Sequence, residues 1–286
     1  MKFSRNAVSL LQVGPLGLIL FVFLGIPLVT VIVVSFFDYA NFQLVPTFTL
    51  NNYIELFTTK LTYDLYLSML KFVGIVWALT LVIGFAVSYF LVFHVRSLLW
   101  KIFFFLVCTV PFWTSNIIRM ISWIPVLGLD GLVNKSLISL GIIHTPLHWL
   151  LFSDFSVIVA YVHLFALFMI VALFNSMARI DPAVIEAAVD AGASRWQVIM
   201  EVVVPLTKTG IALGSIFVVA LVMGDFFVIK VMSGGRSASV TYAMWNEIAM
   251  LQYPSAAASS LVLMIIVTLM VAAILRVVDV RKQLSG

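Results

Sequence analysis

Long apolar runs alternate with short polar connections along this chain. Six segments carry about 20 or more mostly apolar residues, the length that an α-helix needs to cross a bilayer. They span 14–38, 68–93, 101–125, 156–178, 207–231 and 257–278. Strands of a membrane barrel would instead alternate polar and apolar positions over about ten residues. The pattern predicts an all-α integral membrane protein with six transmembrane helices.

Composition supports an integral membrane protein and argues against a soluble globular protein or a nucleic-acid-binding protein. The 286 residues are 63% hydrophobic and 10% charged, whereas soluble domains are about 45–50% apolar and 25% charged. The net charge of +4 is too small and too scattered to indicate nucleic-acid binding. With Cys108 as the single cysteine, an intramolecular disulfide is excluded, and we interpret this thiol as a buried small apolar group.

The positions of Lys and Arg predict the orientation. With the N-terminus inside, ten cations fall on the inner side and six on the outer side, and cytoplasmic loops carry the excess. This places both termini and the 179–206 loop in the cytoplasm. The uncharged run 6–37 is about twice as long as the apolar core of a signal peptide, so we interpret it as a retained first span. The inner cations are Lys2, Arg5, Arg96, Lys101, Arg179, Arg195, Lys208, Arg276, Arg281 and Lys282.

The outer connections carry their own signals. Pro, Asn and aromatic residues after the first span suit a short interfacial helix. The connection before the fourth span is expected to form two short helical pieces, broken at Gly141 and Pro146.

Between spans four and five, the sequence predicts a helix, a tight turn and a second helix. Asp181 is a good N-cap, and Pro182 suits the first helical position. The helix can end at Gly192, which tolerates a left-handed backbone. Ser194 followed by Gln197 forms a capping-box pattern, which starts the second helix.

The first of these helices carries an unusual surface. Glu186 and Asp190 lie four residues apart on one face, where like charges repel by a few tenths of a kcal/mol. That repulsion becomes an attraction opposite a basic partner surface, and Ala187 and Ala188 are small enough to let such a surface approach. The alternative is a solvated amphipathic hairpin on the membrane surface. Pro205 ends the second helix or bends it into the fifth span.

A wider spacing resembles a known family. Glu186-Ala187-Ala188, three residues, Gly192, nine residues and then Val202-x-Val204-Pro205 resemble the EAA motif of ABC importer permeases. That family has Ile and Leu where this chain has Val202 and Val204. The stretches "PFWTSNIIRMISWIPVLGLDGLVNKSL", "VPLTKTGIALGS" and "GDFFV" are similar to spermidine/putrescine-type permeases, in the branch that carries polyamines, opines and phosphonates.

The resemblance covers about residues 67–282 and implies a mechanism. It divides the chain into an N-terminal helix and outer loop, 1–66, and a permease domain, 67–282, with a cytoplasmic coupling loop at 179–206. It implies that the coupling helix docks in a cleft of an ATPase subunit. The implied coupling residues are Glu186, Ala187, Ala188, Asp190, Gly192 and Pro205.

The resemblance also implies the partners. Such permeases work in a bacterial inner membrane with two cytoplasmic ATPase subunits, a second homologous permease and a periplasmic solute-binding protein. ATP and Mg²⁺ belong to the ATPase, and this chain is expected to bind no cofactor and to have no enzyme activity. It has no Gly-Lys dipeptide, so a phosphate-binding G-x-x-x-x-G-K-[ST] loop is absent from the sequence. The implied solute is a polyamine, an opine or a related amine or amino-acid-like compound.

Several residues within the predicted spans are candidates for a solute path. Asp225 lies in the fifth span, where a carboxylate is costly and usually faces a cavity or a partner. The alternative is a structural pair with Lys230 or with a group of another subunit. Trp113 and Tyr161 are candidates to stack on an amine, and packing or interfacial anchoring is the alternative that we favour for both.

Other polar positions favour structural roles. Arg119 is expected to extend to the head groups or to pair with an acid, and His163 to be a hydrogen-bonded packing residue. His144 and His148 are spaced i, i+4, but Pro146 lies between them and no third ligand is close, so no metal site is predicted.

Three rival functions differ in signature. A secondary transporter or channel without an ATPase usually shows inverted repeats or broken helices with several charges, and neither is clear here. A membrane-embedded enzyme needs converging catalytic residues, which the sequence does not offer. An exporter permease is disfavoured by the EAA-like motif.

Overall fold

The computed structural model describes residues 14–40 and 43–277. It forms two compact units, one from the described residues up to Tyr63 with Ala243–Ile265, and one from Asp64–Tyr242 with the described residues after Ile265. The predicted cytoplasmic termini, with the cations at their ends, lie outside the described residues.

The first unit begins with α1, Gly14–Val34, in which no residue is buried. A two-stranded antiparallel sheet follows, in which β1, Asp38–Ala40, pairs with β2, Gln43–Val45. The prediction of helices alone missed this hairpin because three-residue strands leave no periodicity to detect. Next comes α2, Asn51–Thr58, which confirms the short helix predicted after the first span.

The remaining elements are helices, three of which (α3, α13 and α14) cross the boundary between the units. They are α3 Lys60–His94, α4 Leu98–Trp113, α5 Asn116–Ile121, α6 Ile124–Leu127, α7 Leu132–Ser139, α8 Asp154–Met177, α9 Pro182–Asp190, α10 Arg195–Leu206, α11 Lys208–Gly224, α12 Phe227–Met232, α13 Val240–Ala249 and α14 Tyr253–Val277.

Length and composition identify five candidate spans in the part of the chain that the structure describes. They are α1, α3, the run 116–139, α8 and α14, and α10 with α11 makes a sixth if that bent pair is one span. The helices α10 and α11 meet at an angle of 70°. The structure thus has a multi-span helical architecture, while the predicted total of six depends on how this bent pair is counted.

The predicted third span, 101–125, is not one helix. Pro111 lacks an N–H, and α4 tightens into a 3₁₀ turn at Val110–Trp113 before it ends. The backbone of Thr114 is extended, and Ser115 then caps α5 by accepting a hydrogen bond from the Ile117 N–H at 3.3 Å. The apolar composition continues across this break, which is why the prediction ran through it.

Two further expectations need correction. The predicted fifth span, 207–231, breaks at Asp225, and α12 continues after it. In the connection before α8, only one helical piece forms, α7, and Gly141 follows it with φ +70°. The described residues 142–153 form turns and irregular backbone, so the second predicted piece is wrong. Pro146 and the turn residues around it leave no uninterrupted helical stretch there.

The core of the second unit lies along α8. Of the described helices, α8 and α11 pack most extensively against each other. A Cβ built on Gly214 would lie 2.5 Å from the Met169 sulfur, and one on Gly210 would lie 2.5 Å from the Ser176 Cβ. The Ser88 hydroxyl of α3 donates to the Ile170 carbonyl at 3.0 Å. Glycine thus lets two backbones approach, as in other membrane helix pairs.

Candidate functional site

The hairpin between α8 and α11 forms as its local sequence predicts. The Asp181 carboxylate accepts a hydrogen bond from the Ala183 N–H at 2.9 Å, and Pro182 occupies the first turn of α9. The Ser194 hydroxyl accepts from the Gln197 N–H, and the Gln197 side chain accepts from the Ser194 N–H at 2.8 Å. Both helices therefore begin with satisfied backbone donors.

Gly192 makes the turn between the two helices. Its φ is +87°, in the left-handed region that glycine enters without strain. The Gly192 N–H donates to the Val189 carbonyl at 2.8 Å, and the Ala193 N–H donates to the Ala188 carbonyl at 3.0 Å. This is the Schellman pattern of helix ends. The predicted stop at Gly192 is confirmed.

Pro205 lies at the end of the second arm, shortly before the chain turns into α11. Before it, Val198–Val203 forms a π-helical segment. After it, the chain bends by 70° at Thr207, between α10 and α11. The buried Thr207 donates to the Val203 carbonyl twice, from its backbone N–H at 2.9 Å and from its hydroxyl at 2.8 Å, so the last turn of α10 stays closed up to the bend. Both alternatives that the sequence left open for Pro205 are met in part: α10 ends one residue after it, at Leu206, and the chain then bends by 70° into α11.

The tip of the hairpin presents a mixed acidic and apolar surface. Glu186, Ala187, Asp190, Gly192 and Pro205 are exposed, and Ala188 is half-buried. Within the described residues, the Glu186 and Asp190 side chains make no hydrogen bond or ion pair. Val189 is 55% exposed and Trp196 is 66% exposed. Sequence reasoning did not identify these two apolar side chains, because one apolar residue in a short helix predicts burial as readily as exposure.

A clamp of small residues joins this hairpin to the membrane helices. Gly210 and Gly214 of α11 face Ala172 and Ser176 of α8, and the Cβ on Gly210 would also lie 2.8 Å from the Ala172 carbonyl oxygen. Because α8 leads into the hairpin and α11 leads out of it, the clamp holds together the two helices that flank the hairpin. The signal that could have found it is the Gly-x-x-x-Gly spacing itself.

Two of the three candidate path residues come together at the break after α11. The Asp225 carboxylate accepts from the Val228 N–H at 2.9 Å and from the Tyr161 hydroxyl at 3.3 Å. Thr241 donates to the Asp225 carbonyl at 2.9 Å. The Val228 contact satisfies a backbone donor in the first turn of α12, the Tyr161 contact joins the break to α8, and the Thr241 contact joins it to α13. Trp113 is not part of this cluster: it ends α4 and is 76% exposed.

Arg119 is buried instead of extending to the surface. It is 5% exposed, its guanidinium carbon lies 4.4 Å from the centre of the Phe112 ring, and Asn116 accepts a hydrogen bond from it. The Nε and Nη1 atoms have no hydrogen-bond partner among the described residues. The expectation of a head-group contact or an acid partner is therefore wrong, since α5 packs Arg119 inward.

The other polar candidates have structural contacts. His163 accepts a hydrogen bond at Nδ1 from the Trp123 indole N–H at 3.0 Å, which confirms it as a hydrogen-bonded packing residue. Across residues 14–40 and 43–277, no group of three or more His, Cys, Asp or Glu side chains could hold a metal ion.

Comparison with known proteins gives the family. No family model matches the chain. It is 33% identical over 269 residues to the spermidine/putrescine transport system permease protein PotB of Salmonella typhimurium, covering 93% of this chain and 91% of the relative. PotB of Haemophilus influenzae is 31% identical, with 95% and 94% covered. The Escherichia coli inner membrane ABC transporter permease protein YdcU is 28% identical, with 93% and 88% covered.

A solved structure agrees on the fold. A bacterial alginate ABC transporter, in complex with an alginate pentasaccharide-bound periplasmic protein, has a chain with a TM-score of 0.75 that covers 94% of this chain and 93% of its own. At 15% sequence identity, this likeness establishes the fold. The identity to the PotB proteins over nearly the whole chain establishes more: this multi-pass inner-membrane protein belongs to the permease subunits of binding-protein-dependent ABC importers, in the spermidine/putrescine-type group.

Proposed function

We propose that this chain is the membrane-spanning subunit of an ATP-driven importer for a polyamine, an opine or a related amine or amino-acid-like solute. The PotB relatives, which are named for spermidine and putrescine, support the amine class. ATP and Mg²⁺ act in two separate ATPase subunits. A second homologous permease completes the membrane path, and a periplasmic binding protein delivers the solute.

The hairpin is the proposed ATPase contact, and its exposed acidic face is the observation that carries the proposal. Glu186 and Asp190 are free to accept charge-assisted hydrogen bonds from basic ATPase side chains. Ala187 and Ala188 allow close approach, and Gly192 sets the turn. The exposed Val189 adds an apolar contact that a cleft would bury.

The clamp of Gly210 and Gly214 gives this contact a physical route into the membrane. Because both glycines lie against α8, a displacement of the hairpin would move α8 and α11 together. The bundle of membrane helices would have two arrangements, and ATP binding to the ATPase would favour one of them. The preference would come from contacts between the docked hairpin and the ATPase that are stronger in that arrangement. Pro205 and the bend at Thr207 set the direction in which α11 receives that displacement.

The orientation that fits this mechanism has the hairpin and both termini in the cytoplasm. The excess of Lys and Arg on that side supports it. The N-terminal part, 1–66, adds a span and an outer loop to the permease domain, 67–282.

The solute path is proposed to pass Asp225 and Tyr161. A carboxylate that is held by a hydroxyl and a backbone N–H at a helix break can accept hydrogen bonds from the ammonium group of a passing protonated amine. Trp113 remains a candidate where the path opens at the end of α4, because its ring is exposed and has a face for a cation.

Uptake into proteoliposomes tests this proposal. The chain, its ATPase, the second permease and the binding protein are reconstituted together, and radiolabelled spermidine is the probe. We expect uptake that requires ATP and the binding protein and that survives collapse of ion gradients. Uptake that follows an ion gradient and ignores ATP would instead support a secondary transporter. A variant with Glu186→Lys should insert and assemble but lose most uptake, because it reverses the charge opposite the ATPase.

A further inference from the structure

A cavity of about 1020 Å³ lies between α8 and α11 and reaches the base of the hairpin. Its wall on α8 runs from Leu167 to Ser176 and continues beyond the end of that helix to Asp181, and its wall on α11 runs from Phe217 back to Thr209, with Leu206 of α10 beyond it. At 1.5 Å per residue, the helical parts of these walls are about 12–14 Å long. The cavity therefore extends from the middle of α8 and α11 to the connection between α8 and α9, at the base of the hairpin.

The chemistry of the cavity differs between its two ends. The end inside the membrane is aromatic: the Phe168 ring lies 5.1 Å from the Phe112 ring and 5.9 Å from the Phe217 ring, centre to centre. Neutral polar groups follow, with Asn175 and Ser176 about two turns further along α8. The end at the hairpin carries Arg179 and Asp181, the only charged groups among the described residues of the wall, beside the apolar Ile180, Val184 and Leu206. Charge is therefore confined to one end of a wall that is otherwise apolar apart from a few neutral polar groups.

The two charged groups do not neutralise each other. The described residues contain no Arg179–Asp181 ion pair, although both side chains are exposed at the same end of the cavity. One Asp181 oxygen accepts from the Ala183 N–H, and the Arg179 guanidinium has no hydrogen-bond or ion-pair partner in the part of the chain that the structure describes. A cation and an anion two residues apart are complementary to a zwitterion.

We propose that this cavity binds one membrane phospholipid with a zwitterionic, ammonium-bearing head group, namely phosphatidylethanolamine. The phosphate lies at Arg179, the ammonium at Asp181 and the ester carbonyls near the Asn175 amide. The acyl chains fill the apolar length toward Phe168. The confinement of charge to one end of a mostly apolar wall selects this occupant, because a partner helix or a uniformly polar solute would match only part of it.

The position of the head group would affect the hairpin. Arg179 and Asp181 lie in the short connection between α8 and α9, so a head group held there orders the link between the membrane and the hairpin. The proposal is independent of which solute the protein imports, because lipid binding is measured without transport.

Native mass spectrometry of the full chain tests the proposal. The purified protein is stripped of lipid and then offered phosphatidylethanolamine, phosphatidylglycerol or phosphatidylcholine at equal concentration. We expect one phosphatidylethanolamine per chain to be retained in preference to the other two. With Arg179→Gln, retention should fall by about tenfold, since a charge-assisted contact is lost. The matched control Arg96→Gln removes another exposed arginine, outside the cavity, and should retain lipid like the unmodified chain.

Two further variants separate the head group from the acyl chains. Asp181→Asn keeps the helix cap, because Asn caps as well as Asp, and should move the preference from phosphatidylethanolamine to phosphatidylglycerol. Leu213→Trp should fill the apolar part and abolish retention of all three lipids. Equal retention of the three lipids by the unmodified chain, or equal losses in Arg179→Gln and Arg96→Gln, would overturn the proposal. The exposed positions 179 and 181 keep the test valid if the Trp variant does not fold.

Discussion

Gly192 holds the turn of the hairpin by its backbone alone. A Cβ at this position would meet nothing within 4 Å, so steric contact with neighbours does not require glycine there. The backbone conformation does require it: at a φ of +87°, a left-handed backbone costs other residues about 1–2 kcal/mol, and a β-branched residue most of all. The geometry of this turn therefore depends on one residue type.

Gly192→Val should disturb the turn and uncouple transport. We expect spermidine uptake by the reconstituted importer to fall by about tenfold, in line with about 1–2 kcal/mol of strain, while ATP hydrolysis continues. Gly192→Asn is the matched variant, because Asn tolerates the left-handed region, and it should keep most of the uptake. Equal uptake by the Val and Asn variants would contradict a role for this backbone conformation.

Asp225 combines a structural contact with a charge, and the two can be separated. Asp225→Asn keeps an oxygen that can accept from the Val228 N–H, so the thermal unfolding midpoint should change little. Asp225→Ala loses the cap and should lower stability by about 1 kcal/mol. If the carboxylate attracts an amine, both variants should lower spermidine uptake, with Asn doing so at nearly unchanged stability. Full uptake by Asp225→Asn would leave Asp225 with the structural role alone.

Among the elements, the close packing of α8 against α11 depends on two glycines, which have no side chain to separate the helices. Gly210 and Gly214 lie against Met169, Ala172 and Ser176 so closely that a methyl group at either glycine would overlap its neighbour. Part of that contact is backbone, the Ala172 carbonyl, which cannot rotate away. The hairpin between these helices is therefore anchored at both arms.

Gly210→Ala should force α8 and α11 apart. Overpacking of this kind costs about 1–3 kcal/mol, so the thermal unfolding midpoint in detergent should fall, and uptake should fall with it. Gly224→Ala is the matched control on the same helix, since a Cβ there meets nothing within 4 Å. It should be neutral or slightly stabilising. A similar loss in both variants would show that helix propensity, and not close contact, governs the pair.

For the whole molecule, the orientation in the membrane decides whether an ATPase can reach the hairpin. Five described segments have the length and composition of membrane spans, and the charge bias along the sequence predicts that the hairpin lies in the cytoplasm. The hairpin and the turn at Gly141 lie at opposite ends of α8 along the chain, because α8 separates them. They should therefore face opposite sides of the membrane.

Thiol labelling checks this orientation. In a Cys108→Ser background, which has no other cysteine, Ala187→Cys should react only with a membrane-impermeant reagent on the cytoplasmic side. Gly141→Cys should react only from the opposite side. The reverse pattern would place the hairpin away from any cytosolic ATPase and would contradict the proposed coupling.

Local chemistry in the sequence determined the hairpin and the membrane class. The Asp181 cap, the Gly192 turn and the Ser194–Gln197 capping box each close within a few residues, so the sequence alone predicts them. The apolar runs predict membrane spans because a helix that crosses the hydrocarbon core of a bilayer must be apolar over its length. The exact ends of the helices could not be predicted in the same way. The helices break near Pro111 and at Asp225, although the composition stays apolar across both positions. A break depends on backbone hydrogen bonds, which composition does not record.

Tertiary structure alone decided which distant residues meet. Tyr161 reaches Asp225 across 64 positions, Gly210 meets Ser176, and Arg119 packs inward on Phe112. Each of these contacts depends on the rotation of one helix against another, and in a chain that is apolar on every face the hydrophobic pattern leaves that rotation open. Side-chain packing fixes it, through close approaches that become visible only when the helices are in place.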